Sequence, residues 1–151
     1  MMFRETGDST YLHAAIKMAD WYLNHPNLPK DRVPLWDFNV GEEGYNPDVN
    51  LFAFHNKGTY RDVSAAAITG SALFELYEYS SNKIYLENAI LTLKSLSSPV
   101  YRAEIGENAG FLLKHSVGSL PHKVEIDKPL VYADYYFLEA LTRYKKYKSQ
   151  K

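Results

Sequence analysis

Apolar and polar positions repeat with helical rather than strand period over four stretches of the chain. In residues 8–25, Leu12, Ala15, Ile16, Ala19, Tyr22 and Leu23 recur every three or four positions, while His13, Lys17, Asp20 and Asn24 fall elsewhere. That spacing predicts an amphipathic helix with one exposed side. Asp8 or Ser9 can accept from its first free amides, and Pro26 and Pro29 end it. Residues 61–80 read differently. No charge occurs from Val63 to Phe74, and Ala65, Ala66, Ala67, Gly70, Ser71 and Ala72 crowd the segment. A helix apolar on nearly all sides is an inner one, and its small side chains let neighbours approach closely. Asp62 is its cap. After a short Ser-Ser-Asn turn, Tyr85, Leu86, Ala89, Ile90, Leu93 and Leu96 predict a third helix closed by Pro99, antiparallel to the second. A fourth is predicted from Pro129 onward, with Tyr135 and Tyr136 in the core. Basic residues stand in its final turns, where the helix dipole favours them.

Two long connectors, residues 26–60 and 100–128, separate these helices. Loops of that length inside a compact domain are functional or disordered. Trp36, Phe38, Tyr45, Phe52, Phe54 and Tyr60 in the first argue against disorder. "YLHAAI" at 11–16 and "YLENAI" at 85–90 echo each other, each before a long connector and a more apolar helix. The order is therefore outer helix, connector, inner helix, turn, and then the same again. Helix pairs of this kind bury a continuous core by stacking on neighbours. The pattern starts in mid-pair, and "MMFRE" reads as the last turn of an earlier inner helix. The expectation is all-α: a single domain over residues 1–151 in which antiparallel helical hairpins form part of a toroid. Inner-helix side chains such as Ala66, Ile68 and Leu73 would line its open edges, which predicts either self-association into a homo-oligomer or only marginal stability.

The totals narrow the function. Hydrophobic residues make up 46% of the 151, enough for an ordered core. With 17 basic and 18 acidic residues the net charge is −1, which gives no field to gather nucleic acid or a membrane surface. No apolar run approaches the roughly 20 residues that span a bilayer. Cysteine is absent, so disulfides and thiolate metal sites are excluded. Aromatic residues reach 15%, with 13 tyrosines. Such rings pack on one edge and hydrogen-bond on the other, as carbohydrate sites and protein interfaces both require.

Three stretches carry a resemblance. "VPLWDFN" (33–39), "RDVSAAAITGSALFEL" (61–76) and "GENAGFLLKHSVGSLPHKVEIDKPLVYADYYFLEAL" (106–141) resemble, in order and spacing, the C-terminal part of the unsaturated glucuronyl hydrolases, glycoside hydrolase family 88. The likeness extends from Tyr11 to Tyr144. It implies a six-hairpin α/α toroid that removes an unsaturated uronic acid from oligosaccharides made by polysaccharide lyases. In that chemistry an aspartic acid protonates the C4=C5 vinyl ether, water adds at C5, and the hemiketal collapses. The carboxyl must stay protonated near neutral pH. No cofactor or metal is implied. The two catalytic aspartates of the family lie in portions that nothing here matches, so this chain is expected to supply part of the substrate pocket and no catalytic residue. Two other readings stand beside it: a non-catalytic helical module that binds carbohydrate or protein, and a protein like the related unsaturated rhamnogalacturonyl hydrolases.

The residues that bear on a site lie in the connectors and at the starts of inner helices. The resemblance matches His115 to a substrate-contacting histidine. As neutral imidazole it would bond a hydroxyl, and as imidazolium it would pair with the uronate; a loop histidine satisfied by backbone is the plainer alternative. Ser116 and Ser119 can donate to sugar or sulfate oxygens, or simply form turns. Some family members read sulfate with a Ser-x-x-Ser-x-Lys arrangement; Pro121 stands in the last place here and counts against a sulfated substrate. Trp36 is either a sugar-stacking platform or a plug between helices. Arg61 either attracts an anion or ties its loop down. Tyr132 and Asp134 open the last inner helix and face the same mouth, Asp134 as an orienting group. Asp37 and Asp62 are the nearest approach to a carboxylate pair, Asp62 serving mainly as a cap. His115, His122, Glu125 and Asp127 follow no metal-ligand spacing.

Overall fold

The computed structural model describes residues 2–45, 50, 53–54 and 59–149. Among the described residues five α-helices form in the order the pattern predicts: α1 (Met2–Thr6), α2 (Ser9–Asn24), α3 (Val63–Ser80), α4 (Lys83–Leu96) and α5 (Val131–Ser149). Asp8 and Asp62 cap as the sequence indicates, and Asn82 of the short turn adds a third cap. The side chain of Asp8 accepts from Thr10 N at the start of α2, and Asn82 accepts from Ile84 N at the start of α4. Asp62 accepts from Ser64 N and Ala65 N at the start of α3, and each cap relieves amides that have no partner within the helix. Between α3 and α4 the chain turns through Ser81 in the left-handed region (φ 56°).

The apolar α3 is the axis of the molecule. It packs along most of its length against α4 and α5 and more lightly against α2. Val63, Ala66, Ala67, Leu73, Phe74 and Leu76 meet Tyr85, Leu86, Ala89, Leu93 and Leu96 of α4 and Ala133, Phe137 and Ala140 of α5 in one core. By contrast α2 buries no residue completely; Leu12, Ala15, Ile16, Ala19 and Leu23 only lean on that core. At the C-terminal half of α3 the buried Glu75 receives Arg143 at 2.7 Å and Arg4 at 3.3 Å, which joins α1, α3 and α5. A charge that deep is tolerated because it is paired.

One feature was not foreseen and two expectations are corrected. The second connector carries strands: Ser116–Ser119 (β1) and Val124–Lys128 (β2) form an antiparallel hairpin, a small two-stranded sheet beside the helices. Its signal is Val124 and Ile126 at period two after a Leu-Pro-His-Lys turn, too short to compete with helical patterns elsewhere. Ala66 and Leu73 do not lie open but are buried in the core, and the exposed apolar edge is made by Ile68 with Met18 and Trp21 of α2. Tyr135 stands 61% exposed rather than in the core, because α5 directs Ala133, Phe137 and Ala140 inward. Phe52 and Gly58 of the first connector lie outside the described residues.

Candidate functional site

Both connectors end at the same helix start. In the first, Trp36 N donates to Tyr60 O at 3.1 Å, Asp62 N donates to Pro34 O at 2.8 Å, and Leu35 pairs with Arg61 as an isolated antiparallel bridge. In the second, His115 O accepts from Val63 N at 3.2 Å, and Val117 N reaches the Asp62 carboxylate at 3.4 Å. Residues 60–63 are thus clasped from two sides. Asp62 is the hinge pin: one carboxylate oxygen caps α3 through Ser64 N and Ala65 N, takes the Ser64 hydroxyl at 2.6 Å, and touches the second connector. His115 and the Trp36 peptide are therefore brought to one rim at the N-terminal end of α3. Trp36 itself is half-buried.

A second tie crosses between the connectors. The Tyr101 hydroxyl donates to Asp31 Oδ2 at 2.7 Å, while Arg61 Nη1 lies 3.3 Å from Asp31 Oδ1 and also donates to Val33 O. Burial, followed by the bond to Asp31, pushes the Tyr101 phenol up to about 12. Arg61 is thereby engaged with its own loop, the second of the two roles its position allowed. Asp37 is also employed locally, accepting from Asn39 N at 2.8 Å and the Tyr45 hydroxyl at 2.7 Å. Phe38 stacks on His25 with ring centroids 4.2 Å apart and meets Trp21 edge-on, which fastens the first connector to the end of α2.

The second connector is held at α5. Asp134, in the first turn of that helix, accepts from Leu112 N at 2.8 Å and Leu113 N at 2.9 Å. It orients the backbone leading to His115 and not the imidazole itself. Two residues before it, Tyr132 is 39% exposed. Its phenol is raised first by desolvation, then by the Asp62 and Glu125 carboxylates, with the Ser64 hydroxyl opposing. This places Glu125, on β2, at the same mouth. Gly118 lies directly beneath it: a Cβ there would come within 2.1 Å of Glu125 Oε2.

The remaining candidates separate. His115 is partly exposed, and its Nδ1 lies 2.7 Å from Asp127 Oδ1. Ser119 is half-buried with its hydroxyl 2.8 Å from His122 Nδ1, which gives His122 a partner that spacing did not foretell. Ser116 is completely buried, and its hydroxyl has no hydrogen-bond partner among the described residues. Among the described residues no group of three or more His, Asp or Glu side chains is placed to hold a metal ion. Glu125 and Asp127 are the mouth residues that sequence reasoning named only in connection with metal; period-two placement on β2 beside His115 and Gly118 was the available signal.

A separate apolar groove of about 560 Å³ runs between α2 and α3, lined by Met18, Trp21, Ile68, Ala72 and Leu76 among others. None of the candidate site residues lines it. No helix of the described residues is long and apolar enough to cross a membrane.

No protein-family model matches the chain. Individual proteins do. The chain is 47% identical over 143 residues to an unsaturated glucuronyl hydrolase of Formosa agariphila, a match covering 95% of this chain and 32% of that protein. Its fold superimposes with a TM-score of 0.83 and 44% identity on a solved unsaturated glucuronyl hydrolase described as specific for heparin, over 97% of this chain and 36% of the other. A variant of the Streptococcus agalactiae enzyme, solved in complex with dGlcA-GalNAc6S, aligns at TM-score 0.73 and 27% identity over 95% of this chain and 35% of that one. The chain spans about a third of the length of the relatives it matches. It resembles the unsaturated glucuronyl hydrolases over nearly all of its own residues, and it has the helical hairpins of their α/α toroid.

Proposed function

We propose that this chain, which shares sequence and fold with about a third of an unsaturated glucuronyl hydrolase, is one wall of a pocket for unsaturated uronyl oligosaccharides of the kind polysaccharide lyases release. The observation that carries the reading is the double clasp on residues 60–63, which ties the backbones of Trp36 and His115, one from each connector, to the start of α3. An apolar ring face and a few fixed donors and acceptors are what a pyranose needs. His115 and Tyr132 are the polar contacts and Trp36 the stacking surface; Ser119, through His122, sits farther along the hairpin.

This wall performs no proton transfer of its own. Hydration of the C4=C5 vinyl ether needs a carboxyl that can give its proton to carbon and then assist water at C5. Around the mouth, Glu125 is exposed on β2, without the desolvation that would hold a carboxyl protonated. Asp127 is committed to His115, Asp62 to the α3 cap, Asp134 to two backbone amides, Asp31 to Tyr101 and Arg61, and Asp37 to Tyr45 and Asn39. Each is an acceptor in its ionised form, and each would lose those bonds on protonation. The acid belongs to a part of the enzyme family this chain does not match. Arg61 is likewise spoken for, so the uronate carboxylate is met by groups outside this wall.

Saturation-transfer NMR of this chain with an unsaturated uronyl disaccharide tests the reading. Transfer to the sugar protons is expected, weakened several-fold in the His115→Ala and Trp36→Ala variants, with no loss of ultraviolet absorbance from the C4=C5 group over hours. Absence of transfer would remove the pocket wall; loss of absorbance would show that the chain supplies an acid. A panel that includes unsaturated rhamnogalacturonyl products fixes which lyase products fit.

A further inference from the structure

The pairing register of the hairpin in the second connector shifts at one point, and the shift falls beside His115. Ser116 pairs with Lys128 and Val117 with Ile126, so one residue on β2, Asp127, has no partner opposite. It is the extra residue of a β-bulge, and its φ of 53° places it in the left-handed region. Bulges re-aim a side chain that a regular ladder would send elsewhere. Here the side chain is re-aimed at an imidazole: Asp127 Oδ1 lies 2.7 Å from His115 Nδ1. His115 is itself left-handed, at φ 65°, and its carbonyl is fixed to Val63 N. Non-glycine residues take up such conformations reluctantly and keep them where the surroundings over-determine them. Backbone and ring of His115 are thus held from opposite sides, by the start of α3 and by the bulge.

We propose that Asp127 is a positioning residue for His115: its carboxylate accepts the Nδ1 proton, holds the neutral ring in the Nδ1–H tautomer, and leaves Nε2 as an acceptor for a sugar hydroxyl. The direction follows from the partner's chemistry. An ionised carboxylate has no proton to give, so the proton in the bond belongs to the ring. The other imidazole of the hairpin makes the contrast. His122 Nδ1 meets the Ser119 hydroxyl at 2.8 Å, and a hydroxyl donates or accepts, so that contact selects no tautomer. Of the cations near His115 in sequence, Lys114 donates to Pro99 O at 3.0 Å, and Lys128 is exposed on the strand. The bulge therefore turns the ambivalent ring of His115 into a reader of hydroxyl groups and not of the uronate. That last step rests on the pocket reading; the tautomer does not.

Long-range ¹H–¹⁵N NMR of the ¹⁵N-labelled chain, without ligand and at a pH where the ring is neutral, assigns the proton directly. The Nδ1–H form is expected at His115 in the native chain, with reversion toward Nε2–H in Asp127→Ala and a smaller reversion in the near-isosteric Asp127→Asn, whose amide is the weaker acceptor. His122 is the internal control and should not change in either variant. A native ring found as Nε2–H or as imidazolium overturns the proposal, and so does a tautomer unmoved by both variants. If Asp127→Ala loses its fold, judged by amide dispersion, Asp127→Asn alone decides. Because no sugar is present, failure here leaves the pocket reading to its own ligand experiment.

Discussion

Asp31 shows what one residue contributes. It sits in the first connector yet holds Tyr101 of the second at 2.7 Å and Arg61 of the α3 entry at 3.3 Å, so three segments meet on one carboxylate. The pH consequence falls on the phenol. Tyr101 is 6% exposed, and burial with the bond to Asp31 pushes its titration from 10 up to about 12. Tyr85, 2% exposed and bonded to Asp20 of α2 at 2.7 Å, is raised to about 12 for the same reasons. A group that binds its proton more tightly folded than unfolded stabilises fully below the unfolded value and loses that contribution as pH rises through the folded one. Urea unfolding should therefore give a stability flat from neutral pH to about 10 and falling between about 10 and about 12. Tyr101→Phe should flatten part of that fall while lowering the plateau, because Asp31 loses a donor. A stability unchanged up to pH 12 would contradict the phenol ties.

At the scale of an element, α3 is governed by how near its neighbours come. A Cβ built on Gly70 would lie 3.2 Å from Thr92 Cγ2 and 3.5 Å from Thr92 Cβ, so α3 and α4 touch at a position where only hydrogen fits comfortably. Gly70→Ala balances a helix-propensity gain of about 1 kcal/mol against that tight contact and should change stability little. Gly70→Leu has no such balance and should cost about 1–3 kcal/mol through overpacking, read as a lower urea midpoint at unchanged m-value. The hairpin β1–β2 obeys a different rule. Two short strands are marginal alone, and this pair is stable because Val117 and Leu120 are buried beneath it and Asp62 and Val63 grip its first strand. The site rests on that dependence, since His115 and Asp127 keep their places only while α3 keeps its first turn.

For the whole molecule, the decisive feature is the surface left over after the core is formed. On one side of α3, Met18 (72% exposed), Trp21 (60%) and Ile68 (39%) border the groove between α2 and α3. On α5, Val131 (72%), Tyr135 (61%) and Leu138 (50%) form a stripe at spacings of four and three residues. A ridge and a groove on different faces of one chain suit head-to-tail association of copies, and apolar patches of this kind rarely stay in water. Light scattering should give a mass that grows with concentration in the micromolar range, with Leu138→Glu or Trp21→Glu returning a single chain. A mass of 17.3 kDa that does not change with concentration would argue against self-association.

Period, caps and breakers were enough to read four helices, their order and the inner character of α3, because each depends on residues within a turn or two of one another. Trp36, His115 and Tyr132, with the family resemblance of those stretches, led to the expectation that the long connectors lie together, and the backbones of Trp36 and His115 are both tied to the start of α3. What the sequence could not state was which alternative each candidate takes. Arg61 is claimed by Asp31 and Val33, Ser116 is buried, and Asp134 serves the backbone of Leu112 and Leu113. The bulge at Asp127 was equally hidden, since it exists only relative to the register of a partner strand. Helical pattern is local and survives in the order of residues. The partner of a polar side chain is a meeting between distant segments, and it is settled only when packing on α3 brings both connectors to the same end of one helix.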